Sequence, residues 1–260
     1  MSKIITNRDV SDILQIIEAQ WNEAILISAN SPHCKLYEKK EITLLSSTVD
    51  YPFFNGALHT KIESNIEEKI DQVTQFFKDR KYFWHIGPTT RPTNIPETLE
   101  DNGFHPTTSP CMAANLSELE PIESNLEIKK VTDIDELEQW TRTFTSGFDI
   151  PHTFDKWWTM FSSTWGQDLG TVYYTGFIDG IPVATSLAFY RSGVVGIYDV
   201  AVIPAARRKG YGSVITVHPL LEGLKLGYRV GVLHSSKMGY KVYERLGFKE
   251  YGQITRYLSP

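Results

Sequence analysis

The stretch that most limits how this chain can fold runs from Val194 to Ile215. An apolar, strand-like run, Val194–Ile203, is ended by Pro204. Arg207, Arg208 and Lys209 follow, then Gly210-Tyr211-Gly212, and from Ser213 the chain takes on a helix-like apolar pattern. A strand that passes through a basic, glycine-bearing turn into the start of a helix belongs to an α/β layer arrangement. It also creates an anion site in principle. A helix N-terminus carries backbone N–H groups without intrahelical acceptors and the positive end of the helix dipole. Glycine at 210 and 212 removes the β-carbons that would keep a ligand off the backbone. Phosphates suit such a place. Two phosphate-binding designs are excluded. No GxxxxGK[ST] is present, and the third glycine of a dinucleotide-binding turn would fall on Ile215.

Charge distribution points the same way. The 260 residues carry a formal net charge of −5, but from Pro204 onward ten Lys and Arg stand against Glu222, Glu244 and Glu250 alone. A basic segment on an acidic protein asks for an anionic partner. Its basic residues are interleaved with helix and strand patterns and form no solid run, so a small polyphosphate is expected, not nucleic acid. With 41% hydrophobic residues the composition is that of an ordinary globular protein. No run of about 18 apolar residues is present, and the polar beginning, MSKIITNRDVSD, has no apolar core of a secretory signal. The expectation is a cytoplasmic protein, monomer or homodimer, without membrane contact. Cys34 and Cys111 sit in no metal-ligand spacing and the seven histidines form neither HExxH nor HxH, so buried free thiols and no metal are expected.

Periodicity predicts a helix over 8–29, strands over 40–49 and 53–61, a helix over 65–78, a strand over 82–86, a short helix ending at Gly103, and a strand over 104–116. Pro121–Asn125 reads as a linker. Beyond it the pattern is βααβββαβαβ: a strand 126–131, helices 133–148 and 151–165, strands 171–178, 182–190 and 194–203, a helix 207–226, a strand 228–234, a helix 237–246 and a strand 248–258. Asp179-Gly180 marks a hairpin turn. Pro219 falls inside the 207–226 helix and predicts a bend or a division there.

Val202-Ile203-Pro204 followed by Arg207-Arg208-Lys209-Gly210-Tyr211-Gly212 resembles the acetyl-CoA pyrophosphate loop of the Gcn5-related N-acetyltransferase (GNAT) superfamily. Leu233 to Phe248, with Tyr243-Glu-Arg-Leu-Gly-Phe248, looks like that family's next strand, helix and Tyr-x-x-x-Gly-Phe ending. The resemblance covers about residues 126–260. Phe83-Trp84-His85-Ile86-Gly87-Pro88, Gly103-Phe104 and Met112-Ala113 look like a degenerate half without the loop, as in tandem members. The resemblance implies an α/β (α+β) GNAT fold, a mixed central sheet flanked by helices. It implies a degenerate N-terminal domain over 1–120, which should not bind acetyl-CoA, and a catalytic domain over 126–260.

It further implies an acetyl-CoA-dependent N-acetyltransferase acting on a primary amine of a small molecule by direct attack. The sheet would splay beside Val194–Ile203, with the pantetheine arm along the backbone of Val200, Ala201 and Val202 and the pyrophosphate on the amides of Arg207, Arg208, Lys209, Gly210, Tyr211, Gly212 and Ser213. Tyr243 occupies the family's tyrosine position, as proton donor to the leaving sulfur. Ser236 either contacts the ligand or caps the following helix. Asp199 is the candidate base or a contact for the substrate ammonium, with His234 as a further candidate. Strand alternation puts Asp199 on the face of Ala201 and Tyr198 on the other; a bulge would swap them. Phe154, Trp157 and Trp158 would supply core and one cleft wall, with His152 and Asp155 facing the cleft. The competing functions are a longer acyl donor or a non-catalytic acyl-CoA sensor.

Overall fold

The computed structural model describes residues 10–78, 80–164 and 170–260. Residues 8 and 9, expected to open the first helix, and Trp165, expected to end another, lie outside the described residues. The chain divides into two compact units. One contains Cys111–Tyr251 with the residues before Leu14; the other contains Leu14–Pro110 and Gly252–Pro260.

In the Cys111–Tyr251 unit the sheet order is β5 (His105–Asn115), β10 (Val230–His234), β9 (Val194–Val202), β8 (Ile181–Arg191), β7 (Thr171–Ile178) and β6 (Glu127–Lys130). All neighbours are antiparallel except β9 and β10. The β7–β8 hairpin turns on Asp179 (φ 49°) and Gly180 (φ 76°), two left-handed residues whose twist matches that of the paired strands. Helix α6 (Tyr211–Lys225) packs one face through Val214, Ile215 and Leu220, against Ala184, Ala188, Val195 and Ile197. Helix α4 (Ile134–Phe148) covers the other face, where Leu137, Trp140 and Phe144 meet Tyr173, Leu187 and Ala201. Asp133 caps α4 by accepting from the Glu136 amide at 2.9 Å. Helices α5 (Asp155–Ser163) and α7 (Tyr240–Arg245) complete the unit.

Pro219 neither divides α6 nor leaves a polar group stranded. The proline ring removes the N–H that would have bonded the Ile215 carbonyl. The buried Ser186 hydroxyl of β8 donates to that carbonyl instead, at 2.9 Å. A hydroxyl from the sheet thus replaces the missing rung, and the helix continues to Lys225.

In the other unit the sheet order is β1 (Cys34–Glu38), β2 (Thr43–Ser47), β3 (Gly56–Leu58), β4 (Phe83–Ile86) and β11 (Lys249–Leu258). Helices α2 (Ile66–Phe77) and α3 (Ile95–Asp101) cover one face around fully buried Trp84, Phe77 and Leu99. Strand β1 has no counterpart in the sequence reading; its side chains are mostly exposed, so hydrophobic alternation never marks it. The expected 53–61 strand is shorter. Pro52–Phe54 form a 3-10 turn and only Gly56–Leu58 pair as a strand. Helix α1 (Val10–Ile27) lies against this unit through Leu14, which reaches Gly252, and Glu18, which reaches Gly87. Among the described residues no helix is long and apolar enough to cross a membrane.

Candidate active site

The site begins with a fault in a strand. Along β8 and β9 the register runs Leu187↔Tyr198 and then Thr185↔Ala201, so Asp199 and Val200 together stand opposite Ser186. This is a β-bulge, and its extra residue, Asp199, has φ 51°. Aspartate tolerates the left-handed region better than most residues. The Asp199 carbonyl is held by the Thr185 hydroxyl at 3.0 Å. The bulge redirects every later side chain. Tyr198 and Ala201 now share the α4 face, while Val200 and Val202 pack on the α6 face. Unbroken alternation would have separated Tyr198 from Ala201.

The same place ends the pairing with β10. The parallel ladder runs from Gly231↔Val195 to Leu233↔Ile197 and stops there. Beyond it the Tyr198 and His234 rings stand 6.2 Å apart, one on each strand. From the bulge onward β9 is therefore paired through β8 alone, and its other edge faces the gap where the two strands part. Asp199 lies at the head of that gap. Burial pushes its carboxyl up to about 7, and its charge in turn acts on Tyr173, raising that pKa further. A carboxylic acid tuned to neutrality changes protonation at working pH, as a general base must.

The turn follows. Arg208 has φ 66° and Gly210 has φ 84°. Such left-handed residues turn successive amides toward a concavity. The Ser213 and Val214 amides both bond the Gly210 carbonyl, and the Arg207 amide bonds Pro204. Among the described residues no acceptor serves the amides of Arg208, Lys209, Gly210, Tyr211 and Gly212. A β-carbon on Gly210 would meet nothing within 4 Å, and one on Gly212 only Val202 at 3.8 Å. The backbone there is thus approachable, and the expected row of seven amides narrows to five.

Arg207 departs from its expected role. Its Nε donates to the Val202 carbonyl at 3.1 Å and its NH2 to the Gly147 carbonyl at 2.8 Å. The guanidinium ties the end of α4 to the end of β9, so it shapes the turn and does not present its charge outward. Arg208 and Lys209 are exposed. The Tyr211 ring is buried in the core, so this residue offers only its amide. Gly147, which sequence reasoning passed over, permits this closeness: a β-carbon there would lie 2.6 Å from that of Ala201. Its signal was a glycine inside a helical pattern. Thr185 and Ser186 gave no signal beyond being polar residues in an apolar strand.

Tyr243 and Ser236 flank the gap from the β10 side. The Ser236 hydroxyl accepts from the Gly239 amide at 3.1 Å, closing the turn that precedes α7, whose own cap residue, Gly239, receives no side-chain bond. The Tyr243 ring packs edge-on to Phe248 and lies against Gly239, where a β-carbon would come within 2.7 Å of it. Burial pushes its phenol up to about 12, and the hydroxyl has no hydrogen-bond partner among the described residues. His152 and Asp155 form a pair at 3.0 Å, with Thr145 donating to Asp155 at 2.7 Å. The Trp158 ring meets that of Phe144 at a tilt, their centres 4.8 Å apart, and packs against the α4-face core. Among the described residues no group of three His, Cys, Asp or Glu is placed to hold a metal.

No family model and no curated protein matches the chain. Solved structures do. A GCN5-related N-acetyltransferase from Kribbella flavida superposes with a TM-score of 0.72 at 15% identity, covering 95% of this chain and 96% of the other. A GCN5-related N-acetyltransferase from Sphaerobacter thermophilus gives 0.60 at 16% identity, covering 100% and 95%. A tandem GNAT protein from the clavulanic acid biosynthesis pathway gives 0.59 at 10% identity, covering 96% and 94%. These likenesses extend over nearly the whole chain, so the fold of this protein is the GNAT fold, mixed sheet and flanking helices together, as found in tandem proteins of that kind.

Proposed function

We propose that the Cys111–Tyr251 unit is an N-acetyltransferase that takes acetyl-CoA as donor and the primary amine of a small molecule as acceptor. The observation that carries this reading is the bulge at Asp199. In one place it opens the β9 edge, places a carboxyl tuned to about 7 at the gap, and leads into five amides without protein acceptors. The open edge of Val200–Val202 suits an extended amide chain pairing as an added strand. The turn suits a pyrophosphate.

In the reaction Asp199 takes the proton of the acceptor ammonium, directly or through a water, and so frees the lone pair. As the nitrogen–carbon bond forms, negative charge gathers on the carbonyl oxygen, where backbone N–H groups of the open β9 edge stabilise it. The carbon–sulfur bond then breaks, the electron pair leaves on sulfur, and the nitrogen gives up its second proton to water, leaving a neutral amide and a thiolate. Tyr243 donates a hydrogen bond to that sulfur. A phenol near 12 keeps its proton beside a thiolate whose conjugate acid titrates near 8.5, so it stabilises the leaving group without first ionising.

Thermal unfolding with added CoA and acetyl-CoA tests the donor site. A ligand of the native state raises Tm, by about 2.7 kcal/mol of stability at a hundredfold excess over Kd. No shift with either compound defeats the reading. A shift without thiol release across a broad amine panel leaves a binding protein and removes the enzyme.

A further inference from the structure

Among the described residues of the unit formed by Leu14–Pro110 and Gly252–Pro260, one arginine, Arg256, has no counter-ion. Arg256 lies on β11 directly across from His85 of β4. Its guanidinium carbon stands 5.1 Å from the centre of the Phe53 ring and 5.2 Å from that of Phe83. Those two rings meet edge-on at 5.3 Å, and Tyr51 stacks on Phe53 at 5.6 Å. Phe53 remains 44% exposed, so one wall of this aromatic corner reaches solvent. Among the described residues no acceptor hydrogen-bonds the Arg256 side chain. Burial alone displaces its pKa, downward, with no acidic neighbour to offset it.

This arrangement is unusual for arginine. A half-buried charge is normally paired or hydrogen-bonded, because each step out of water without a partner costs free energy. Ring faces recover part of that and no more. The buried Glu18 carboxylate of this unit is taken up elsewhere. Glu18 is engaged by Thr89, through its amide and its hydroxyl, each at 2.9 Å. His85 accepts from the Trp21 indole at Nδ1, 3.4 Å away.

We propose that Arg256, walled by Phe53 and Phe83, is a binding site for a small molecule carrying a carboxylate on an apolar or aromatic body. The planar guanidinium matches a carboxylate in two-pronged fashion. The rings would take the body of the ligand. A free phosphate matches the charge but gains nothing from those walls. This inference does not rest on the acetyl-transfer reading and is tested without acetyl-CoA.

The test uses the full chain with ¹⁵N-labelled arginine, titrated with benzoate at constant ionic strength, with inorganic phosphate and chloride in parallel. The expected result is a saturable shift of the Arg256 Nε–H resonance with benzoate, weaker or absent with phosphate. Arg256→Met should abolish benzoate binding and leave the Tm of the ligand-free protein unchanged or higher, since it deletes a charge without a counter-ion. Phe53→Ala, at the exposed wall, should weaken benzoate binding at least fivefold in a folded protein. Benzoate that fails to saturate, or that binds Arg256→Met equally, overturns the site. So does a marked fall in Tm on Arg256→Met in ligand-free protein, which would make the arginine a structural prop. A preference for phosphate overturns the carboxylate assignment.

Discussion

Two strand-to-helix corners of this molecule can be set side by side. In one unit β9 leads through Pro204–Gly210 into α6; in the other β4 leads through Gly87–Asn94 into α3. At the first, five successive amides have no acceptor among the described residues. At the second, the protein supplies an anion of its own. The buried carboxylate of Glu18 accepts from the Thr89 amide and hydroxyl, and it lies so close to Gly87 that any β-carbon there would overlap it. The Thr90 hydroxyl accepts from the Gly87 amide at 3.0 Å. One corner thus leaves its amides open and the other is closed by a carboxylate of the chain itself. The difference also shows in the residues around them: Arg208 and Lys209 beside the first, a proline-punctuated loop at the second. An anion site is therefore retired by filling it as effectively as by losing it.

Four substitutions would break or sharpen this contrast. The largest effect belongs to Asp199, which has no counterpart at the closed corner. Asp199→Asn should lower kcat/KM by about 10²–10⁴-fold, the usual worth of a general base, and abolish the limb of the pH–rate profile that rises through about 7. Its effect on stability is opposite in sign. Between about pH 4 and 7 the native state keeps the Asp199 proton while the unfolded chain releases it, so stability falls across that window and stays lower above it. Asp199→Asn should accordingly melt above the parent at pH 8 and match it at pH 4. A pH profile unchanged in the variant removes Asp199 as the base.

Next comes Glu18. Glu18→Ala leaves the Thr89 amide without its acceptor in a buried place and opens a cavity, for a loss of about 2–4 kcal/mol in urea unfolding. Glu18→Gln, which keeps an acceptor oxygen, should lose less than half of that. If Glu18→Ala is neutral, the closed corner is not held by its carboxylate.

Ser186→Ala should cost about 1–2 kcal/mol, because the Ile215 carbonyl then has no donor. Pro219→Ala restores a helical N–H to the same carbonyl, so the serine change should cost clearly less in that background. Additive losses in the double-mutant cycle would show that the hydroxyl does not stand in for the missing rung. The smallest effect is expected at Tyr243. Removing one neutral hydrogen bond to the leaving sulfur is worth about 1.4 kcal/mol at most, or a tenfold fall in kcat, with acetyl-CoA binding intact. Unchanged turnover in Tyr243→Phe takes it out of the mechanism.

What could be read in the sequence follows a physical line. Val194–Ile203, Pro204 and the glycines at 210 and 212 are local signals, and the corner they encode forms at those residues. The Asp179-Gly180 turn is local too. The bulge was present only as an alternative, because its register is set by what β8 brings opposite, Ser186 and the Thr185 hydroxyl. The roles of Arg207 and Glu18 were invisible for the same reason. Their partners, Gly147 and Thr89, lie sixty or more residues away. Strand β1 escaped because its exposed side chains carry no hydrophobic pattern, although its backbone pairs along its whole length with β2. Charge on its own was also a weak guide. Three adjacent basic residues looked equivalent, and folding turned one of them inward.

The division of the chain has a consequence for how the protein is made on the ribosome. Strand β11 lies beside β4, with Tyr257 opposite Trp84 and Leu258 opposite Phe83, and the Ser259 hydroxyl accepts from the Tyr82 amide at 3.3 Å. The Leu14–Pro110 segment is synthesised early but keeps one flank of its sheet open until Gly252–Pro260 emerges. For most of translation the older unit waits as an unfinished edge while the younger one is being assembled. A nascent chain of this design depends on Gly252–Pro260 to close the sheet that Leu14–Pro110 began.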